Sequence, residues 1–310
     1  MTGRRLATLR LLVTSSLVVL TAGCTSSDEA DSSGSGSASP NALNLGAEVD
    51  YEKAIVTLPA DQVAFGEQVD ASTLSSAHMA AVAQCARDEL GIPWTAEMPD
   101  PYIPAEHMWV RYGPWTKPVA EKFAFIRPMG DGALIVNGYV PKPEGHEWDL
   151  GPNVDISDDQ REKVFATCNG RPEAMRFDEG ALWVWGPGQQ ALEDEYNAVN
   201  DDPRMRELLG DLQTCYEGKG MEIDPEAPGY IVPRVQKIDE EQISLALKTV
   251  ECKDELDFTR RVADITAERQ IPIIEEYADE LFADRKKWDD TVAEAEEYIA
   301  AHPELFEPPK

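Results

Sequence analysis

The sequence predicts a mainly α-helical fold that is stapled by disulfides, with a long kinked C-terminal helix and a small β or irregular region in the middle. Three observations support this prediction. Apolar residues recur at helical spacing in four segments that each contain one cysteine. Capping residues, glycines and prolines mark the ends of those segments. An apolar repeat with steps of three and four residues extends along the last segment, 274–299.

The first two helical segments contain Cys85 and Cys168. Residues 74–90 form the first, which stops at Gly91 with a proline two residues further on, a strong signal for a helix C-terminus. The second begins with the sequence Ser-Asp-Asp-Gln at 157–160, which has the form of a capping box. We therefore expect both cysteines to lie on helices.

The other two helical segments contain Cys215 and Cys252. Asp202, followed by a proline, caps the third segment, and Asp239 caps the fourth. The two halves of the body echo each other: a helix ends in a cysteine and then a glycine, and an acid-capped helix with a glutamine carries the second cysteine. The echo is weak, because the second cysteine follows that glutamine by eight residues in one half and ten in the other. A duplication therefore stays open.

The last segment has the most regular apolar pattern. Its seam positions, spaced by three and four residues, are Ala278, Leu281, Arg285, Trp288, Val292, Ala295 and Ile299. This pattern predicts a long helix that packs lengthwise on another helix, with Arg285 as the one polar member of the seam. Pro272 is expected to kink or break the helical stretch near Gln270. We favour a helix that covers the protein's own core, and a seam for a partner protein is the alternative.

The middle of the chain has a different apolar pattern, which is typical of β-strands rather than helices. Residues 132–140 and 181–186 read as β-strands, and 107–111 form a third candidate strand. Prolines are frequent between them. We expect a small sheet or irregular loops that are fastened to the helices.

The charge of the chain excludes some classes of partner. The chain carries 28 basic and 58 acidic residues, a formal charge of −30. Residues 1–23 contain three arginines and no acidic residue, so the remainder has 25 basic and 58 acidic residues, or −33. A nucleic-acid binder needs a basic footprint, and an anionic membrane surface repels such a body. We expect neither nucleic acid nor an anionic lipid surface as an electrostatic partner.

The first 24 residues have the pattern of a secretory signal. Three arginines precede an apolar run at 11–20, which is too short to span a bilayer comfortably because about 20 residues are needed. Cys24 directly follows Ala22 and Gly23, and this resembles the lipobox of bacterial lipoproteins. The resemblance implies cleavage before Cys24 and a diacylglyceryl group on its thiol, with palmitate as a typical acyl chain. An ordinary signal peptide with a chance cysteine is the alternative.

The residues after Cys24 predict a flexible tether. Seven of residues 25–40 are serine, and such a composition cannot bury a core. A coil of 16 residues has a root-mean-square reach of ~20–25 Å. Lipid anchor, tether and folded body follow one another in the order expected of a surface lipoprotein.

The cysteine count predicts two disulfides. If Cys24 is acylated, four of the five cysteines remain in an exported chain: Cys85, Cys168, Cys215 and Cys252. Four cysteines allow three pairings, and we favour Cys85–Cys168 with Cys215–Cys252 because of the echo between the two halves. A zinc site is the alternative, although the chain has four histidines and no CxxC pair.

Several short stretches resemble an uncharacterised family of actinobacterial lipoproteins. In chain order they are V-T-L-P-A-D at 56–61, C-A-R-D-E-L-G at 85–91, R-Y-G-P-W at 111–115, D-P-R-M at 202–205, C-Y-E-G-K-G at 215–220, and Cys252 late in an acid-capped helix. The likeness covers most of residues 50–300. It implies an envelope protein without an established activity. Because some members are encoded near efflux-type transport genes, it also implies a transporter as a partner.

Motifs with recognised chemistry are missing from the sequence. The chain has no GxSxG, HExxH, P-loop or GxGxxG pattern, and the H-E-W-D stretch at 146–149 reads as a solvated loop. We predict no catalytic residue, no cofactor and no metal. Trp109, Trp183 and Trp185 are the candidate ligand-binding residues, because exposed aromatic rings stack on sugars, whereas buried ones anchor the core of a small sheet.

Together these patterns predict a non-enzymatic, lipid-anchored protein on the extracytoplasmic face of the cell membrane. It would be an interaction or accessory component of an envelope or transport system. A module that binds cell-wall glycan or a small ligand through its tryptophans is the second hypothesis, and an enzyme with an unrecognised site is the third. The predicted organisation is a signal peptide at 1–23, anchor and tether at 24–48, a helical half with a small β region at 49–200, a helical hairpin at 201–301 and a tail at 302–310.

Overall fold

Helices dominate this computed structural model, which describes residues 45–63, 68–97, 107–145, 151–182, 186–224, 231–232 and 237–309. Cys24, the signal segment and the serine-rich tether lie outside the described residues. Two short antiparallel hairpins are the β-structure of the described chain, and both disulfides are formed. The predicted fold class is therefore confirmed.

The elements of the described residues are numbered in chain order. The helices are α1 (Pro59–Val63), α2 (Gln68–Leu90), α3 (His107–Tyr112), α4 (Lys117–Phe123), α5 (Asp131–Val136), α6 (Asp158–Val164), α7 (Pro172–Met175), α8 (Glu179–Leu182), α9 (Pro187–Ala198), α10 (Pro203–Gly218), α11 (Glu240–Glu255), α12 (Phe258–Glu276) and α13 (Ala278–Ala301). The strands are β1 (Glu48–Asp50), β2 (Ile55–Thr57), β3 (Glu222–Ile223) and β4 (Ile231–Val232). β1 pairs with β2, and β3 pairs with β4. A π-helical turn (Phe165–Asn169) and 3₁₀ turns (Val199–Asp201, Pro303–Phe306) complete the set.

The helix starts that the sequence predicts are confirmed by their hydrogen bonds. Ser157 and Gln160 form a reciprocal capping box at α6, in which Gln160 N donates to Ser157 Oγ at 3.3 Å and Ser157 N donates to Gln160 Oε1 at 3.2 Å. Asp202 accepts from Arg204 N at 2.9 Å at the start of α10, and Asp239 caps α11 in the same way. Each cap satisfies a backbone N–H that has no partner inside its helix.

Two of the three strands predicted for the middle region are wrong, and the third, at 181–186, lies partly outside the described residues. Residues 107–111 belong to α3, residues 131–136 form α5 before a turn, and residues 181–182 end α8. Short apolar runs do not distinguish a strand from a buried helical turn, because both place several apolar side chains on one packed surface. Leu134 illustrates this, since it packs with Phe123 and Ile126 from one face of a helix.

Both favoured disulfides are present, with Cα–Cα distances of 5.8 Å in each. Cys85 on α2 is joined to Cys168 in the π-helical turn, and Cys215 on α10 is joined to Cys252 on α11. The two bonds lie in different apolar clusters. Because all four cysteines are covalently paired, none of them is available as a zinc ligand, and the zinc alternative is wrong.

The apolar seam of the last helix faces the protein's own core. α13 packs along α2, and Trp288 and Ala295 share a buried cluster with Leu74 and Ala77 of α2. Leu281 is buried further along the same face. The interpretation that we favoured is confirmed, and the alternative of a seam kept for a partner protein is wrong.

Arg285, the polar member of the seam, is accommodated at the edge of this packing. Its Nε donates to Asp289 at 2.7 Å, and its Nη1 donates to the carbonyl of Asp61 at 3.3 Å. A guanidinium that keeps its hydrogen bonds tolerates partial burial, since its aliphatic stem covers apolar surface.

Pro272 does not break the helix near Gln270. α12 continues through the proline to Glu276, and the helical path ends at Tyr277 instead. Proline removes the bond to the carbonyl four residues earlier, and that residue, Glu268, lies on the exposed side of the helix. A carbonyl on the solvent side of a helix tilts outward at little cost, and buried Gln270 holds the inner face by accepting from Ala60 N at 3.1 Å.

The predicted tail is partly a docked segment. The 3₁₀ turn (Pro303–Phe306) packs against α2, and Leu305 is 4% exposed. Arg87 fastens this turn by donating from Nη1 to the carbonyl of Glu304 at 2.9 Å and from Nη2 to that of Glu307 at 2.8 Å, while its Nε donates to Trp94 O at 2.7 Å.

No helix in the described part of the chain has the length and apolarity needed to cross a bilayer.

Candidate functional site

Segments that the sequence singled out meet in the largest apolar cluster of the described residues. Val56 and Leu58 come from the V-T-L-P-A-D stretch at 56–61, and Tyr112 and Trp115 come from the R-Y-G-P-W stretch. Met205 comes from the opening of α10. Buried Cys252 belongs to the same cluster. Stretches that are far apart in sequence are therefore neighbours in the fold, and the polar groups around them form the candidate site.

The centre of the site is the RYG junction, which we define as Arg111, Tyr112, Tyr196, Asn200 and Lys253. Tyr112 donates from its hydroxyl to Asn200 Oδ1 at 2.8 Å. The Arg111 guanidinium lies 3.5 Å from the centre of the Tyr196 ring and also donates to the Tyr196 carbonyl. A guanidinium over an aromatic face gains about 0.5–2 kcal/mol, more when it is shielded from water. These contacts fasten α3 to the end of α9.

Lys253 holds the turn that follows α3. This turn passes through Gly113, whose φ of +71° favours a residue without a side chain. Lys253 is 1% exposed, and its Nζ donates to the carbonyls of Tyr112 and Pro114, the latter at 2.6 Å. Burial lowers the pKa of Lys253 to about 7. The two acceptors match the two N–H bonds of a neutral amine, whereas an ammonium brings a third proton into the core.

A second group of charges, the arginine–carboxylate network, borders the junction. Arg204 donates to both carboxylate oxygens of Asp202 at 3.1 Å, and Arg269 of α12 donates to Asp202 at 3.3 Å and to Glu195 at 3.0 Å. Glu268 completes the network through Arg204. Hydrogen bonds from Arg204 hold the pKa of Asp202 well below its usual range. The network ties α9, α10 and α12 together with charge-assisted bonds.

A small cavity lies beside Arg111 and Tyr196. Its volume is about 20 Å³, and its other walls are mostly apolar side chains, among them Val56, Val199 and Val262. This volume accommodates about one water molecule rather than an organic ligand. The junction therefore works as a latch between helices, in which Arg111 Nε is the polar atom that stays buried without a hydrogen-bond partner among the described residues.

The candidate ligand-binding tryptophans fall largely outside what the structure describes. Trp183 and Trp185 lie outside the described residues, as does the H-E-W-D stretch at 146–149. Trp109 lies in α3 instead of the predicted strand. In the described residues, no three His, Cys, Asp or Glu side chains are grouped so that they could hold a metal ion.

Sequence reasoning missed Lys253, although the sequence carries a signal for it. Gln242, Ala246, Thr249 and Val250 are buried along one face of α11, and Lys253 continues that face by three and four residues. A lysine on the apolar stripe of an amphipathic helix indicates a buried amine with specific partners. Tyr196 and Asn200 lack any such signal, because their roles depend on α3 lying beside them.

Comparison with family models, with curated proteins and with solved structures found no match for this chain. The resemblance to actinobacterial lipoproteins therefore stays a prediction.

Proposed function

We propose that this chain is an exported lipoprotein, held on the extracytoplasmic face of the membrane by a diacylglyceryl group on Cys24, with a non-enzymatic body that serves an envelope or transport partner. One observation carries the proposal. Of five cysteines, four form the disulfides Cys85–Cys168 and Cys215–Cys252, which leaves Cys24 as the one outside them.

The disulfides support export, and the position of Cys24 supports the anchor. Disulfides persist in oxidising compartments outside the cytoplasm and are rare inside it. Cys24 follows a basic head, an apolar run and two small residues, the pattern at which lipoprotein signals are cut. Two acyl chains give stable anchoring where one is marginal, at ~0.8 kcal/mol for each buried CH₂ group.

A partner would meet charged rather than apolar surface on the last helix. The seam of α13 is buried against α2, and the C-terminal half of the helix has an exposed outer face, which we define as Asp290, Ala293, Glu294 and Glu297. Its carboxylates suit a partner with a basic surface, since complementary charge accelerates encounter and selects partners.

Lipidation is tested by replacing the acceptor thiol. In a bacterium that processes lipoproteins, we expect the wild-type protein in the membrane fraction, beginning at Cys24 with a diacylglyceryl mass increment. Cys24→Ser should be released from the membrane fraction and lack the increment, because a hydroxyl is not the acceptor. Ser26→Ala is the matched control and should behave as wild type. A wild-type protein with an unmodified residue 24 would contradict the proposal.

The partner surface is tested by photo-crosslinking in intact cells. A photoreactive residue at Ala293 should yield a crosslinked protein that disappears when Glu294 and Glu297 are both changed to lysine, because the charge complementarity is reversed. The same probe at Val136, which is 68% exposed on α5, serves as the control and should yield no such product. No product from position 293, or a product that survives charge reversal, would exclude this face.

A further inference from the structure

One of the two disulfides lines an open surface groove. The groove has a volume of about 640 Å³ and is lined by the C-terminal parts of α10 and α11 and the residues just after them: Asp211, Thr214, Cys215, Gly218, Lys219, Glu255 and Leu256. Cys215 is partly exposed, whereas Cys252 has no exposed surface. The bond therefore presents one sulfur to the groove and keeps the other in the core.

We infer that Cys215 is the point at which an extracytoplasmic protein dithiol, of the Cys-x-x-Cys class, exchanges with the Cys215–Cys252 disulfide through a mixed disulfide formed in this groove. Disulfide exchange begins when a thiolate attacks one sulfur, and the accessible sulfur is the one attacked. Here that sulfur is Cys215 Sγ, and Cys252 Sγ is the leaving group. The location outside the cytoplasm rests on the proposed function, whereas the choice of sulfur rests on the groove alone.

The exchange balances in two steps. The partner's thiolate forms a bond to Cys215 Sγ, the bond between Cys215 and Cys252 breaks, and its electron pair leaves on Cys252 Sγ as a thiolate that takes up a proton. The partner's second thiol, as a thiolate, then attacks its own sulfur in the mixed disulfide and releases Cys215. Two electrons and two protons pass to this chain, the partner dithiol is oxidised to a disulfide, and the reverse sequence reoxidises Cys215 and Cys252.

The lining of the groove carries Asp211 and Glu255 against one cation, Lys219, which is therefore the group that offsets the repulsion of an incoming thiolate. Lys219 Nζ lies 2.9 Å from Glu255 Oε1 and 3.1 Å from Glu251 Oε2, and these hydrogen bonds raise its pKa, so the ammonium persists in the groove lining. Glu255 Oε2 lies 3.7 Å from Cys215 Sγ. A disulfide sulfur has no proton to donate. After reduction, the Cys215 thiol can donate a hydrogen bond to this carboxylate, so the reduced form already has an acceptor within reach.

Cys85–Cys168 supplies an internal comparison. Cys168 has no exposed surface, and Cys85, which is partly exposed as Cys215 is, packs against an apolar cluster that contains Ala81, Val82 and Val164. Arg171 and Glu89 form an ion pair across the neighbouring surface. This ion pair joins residues that follow each of the two cysteines, so we expect it to hinder the approach of a protein dithiol and this disulfide to exchange more slowly.

The test uses the purified, full mature chain and thioredoxin as the dithiol. With a thioredoxin variant that lacks its resolving cysteine, mass mapping should place the trapped mixed disulfide on Cys215. With intact thioredoxin, differential alkylation should show Cys215–Cys252 reduced at least about tenfold faster than Cys85–Cys168. An adduct on any of the other three cysteines, equal rates for both disulfides, or no adduct at all would overturn the assignment.

A charge variant tests the approach through the groove. Lys219→Ala should slow exchange by about threefold or more at low salt, because the attacking thiolate then meets Glu251 and Glu255 without their counter-ion, and added salt should narrow the difference. Lys286→Ala, which removes an exposed lysine of α13, should leave the rate unchanged. A Lys219→Ala rate equal to wild type would overturn the proposed approach. These assays do not depend on Cys24, so their failure leaves the anchoring result unaffected.

Discussion

Lys253 is a basic residue whose surroundings favour the form without charge. Its amine lies in the core with two main-chain carbonyls as acceptors, and burial lowers its pKa to about 7 from an ordinary value of 10.5. Folding therefore weakens proton binding at this site. Below pH 7 both the folded and the unfolded chain carry the charge, and the folded state bears the full desolvation penalty. Between pH 7 and 10.5 the unfolded state binds more protons, so stability rises with pH.

This linkage is tested with Lys253→Met. From urea denaturation at pH 7, 8 and 9, the wild type should gain up to about 1.4 kcal/mol of unfolding free energy per pH unit relative to the variant, because one proton is released on folding. Lys248→Met, at an exposed position of the same helix, should keep the wild-type slope. The same pH dependence in Lys253→Met and wild type would show that the amine is not the group that titrates.

Helix packing depends on a close approach that only glycine allows. A Cβ added at Gly188, near the start of α9, would lie 2.8 Å from Tyr277 Cβ and 3.1 Å from Leu281 Cδ2. The same approach lets Glu280 Oε1 accept from Gly188 N at 2.9 Å, so a carboxylate of α13 satisfies an otherwise unpaired N–H of α9. A Cβ added at Gly186 would lie closer still to its neighbour, which is the side chain of Glu280. The small residues at 186 and 188 thus decide where α9 and α13 meet.

Gly188→Ala is expected to lower the unfolding free energy by roughly 1–3 kcal/mol, because the new methyl group overpacks the contact with Tyr277 and Leu281. Gly210→Ala is the matched control: it lies in α10 on the exposed side, with nothing within 4 Å of the added Cβ. It should raise stability by about 0.5–1 kcal/mol through helix propensity. Chemical denaturation of both variants measures the two changes in unfolding free energy, which should have opposite signs. A Gly188→Ala variant as stable as wild type would contradict the close packing.

At the scale of the whole molecule, contacts between distant parts of the chain unite the described fold. α13 packs on α2, α11 packs on α4, and the turn Pro303–Phe306 docks where α2 ends. The disulfides close stretches of 83 and 37 residues within this arrangement. The end of the chain is therefore a structural part of the body, held by Arg87 and by the burial of Leu305.

Removing residues 303–310 should lower the unfolding free energy by about 2–4 kcal/mol, the range for losing one large buried side chain, since Leu305 leaves its pocket. It should also expose Trp94, which is 2% exposed in the intact protein. The Trp94 carbonyl accepts a hydrogen bond from Arg87, the residue that also holds the tail. Removing only residues 308–310 is the control and should change neither the denaturation midpoint nor the tryptophan emission. An unchanged midpoint in the longer truncation would show that the docked turn contributes nothing.

Local signals in the sequence determined much of the helical framework. The caps at Ser157, Asp202 and Asp239 act through hydrogen bonds within three residues, so their chemistry is legible without the fold. The seam of α13 is equally local, because a helix repeats its faces at a constant spacing. The separation of Cys24 from the four other cysteines and the excess of acidic over basic residues can also be read from the sequence alone. The proposal of an exported, anchored protein rests on the same local signals.

Only the tertiary structure decided which apolar runs are strands, what covers the seam of α13, and where the polar groups of the RYG junction find partners. Residues 132–140 read as a strand because their apolar pattern fits two conformations, and packing against α4 selected the helix. Lys253 and Tyr112 are separated by 141 residues in sequence, and no local periodicity encodes their contact. The physical reason is that caps and periodicity act within a few residues, whereas burial, desolvation and groove shape depend on surfaces that come together after folding.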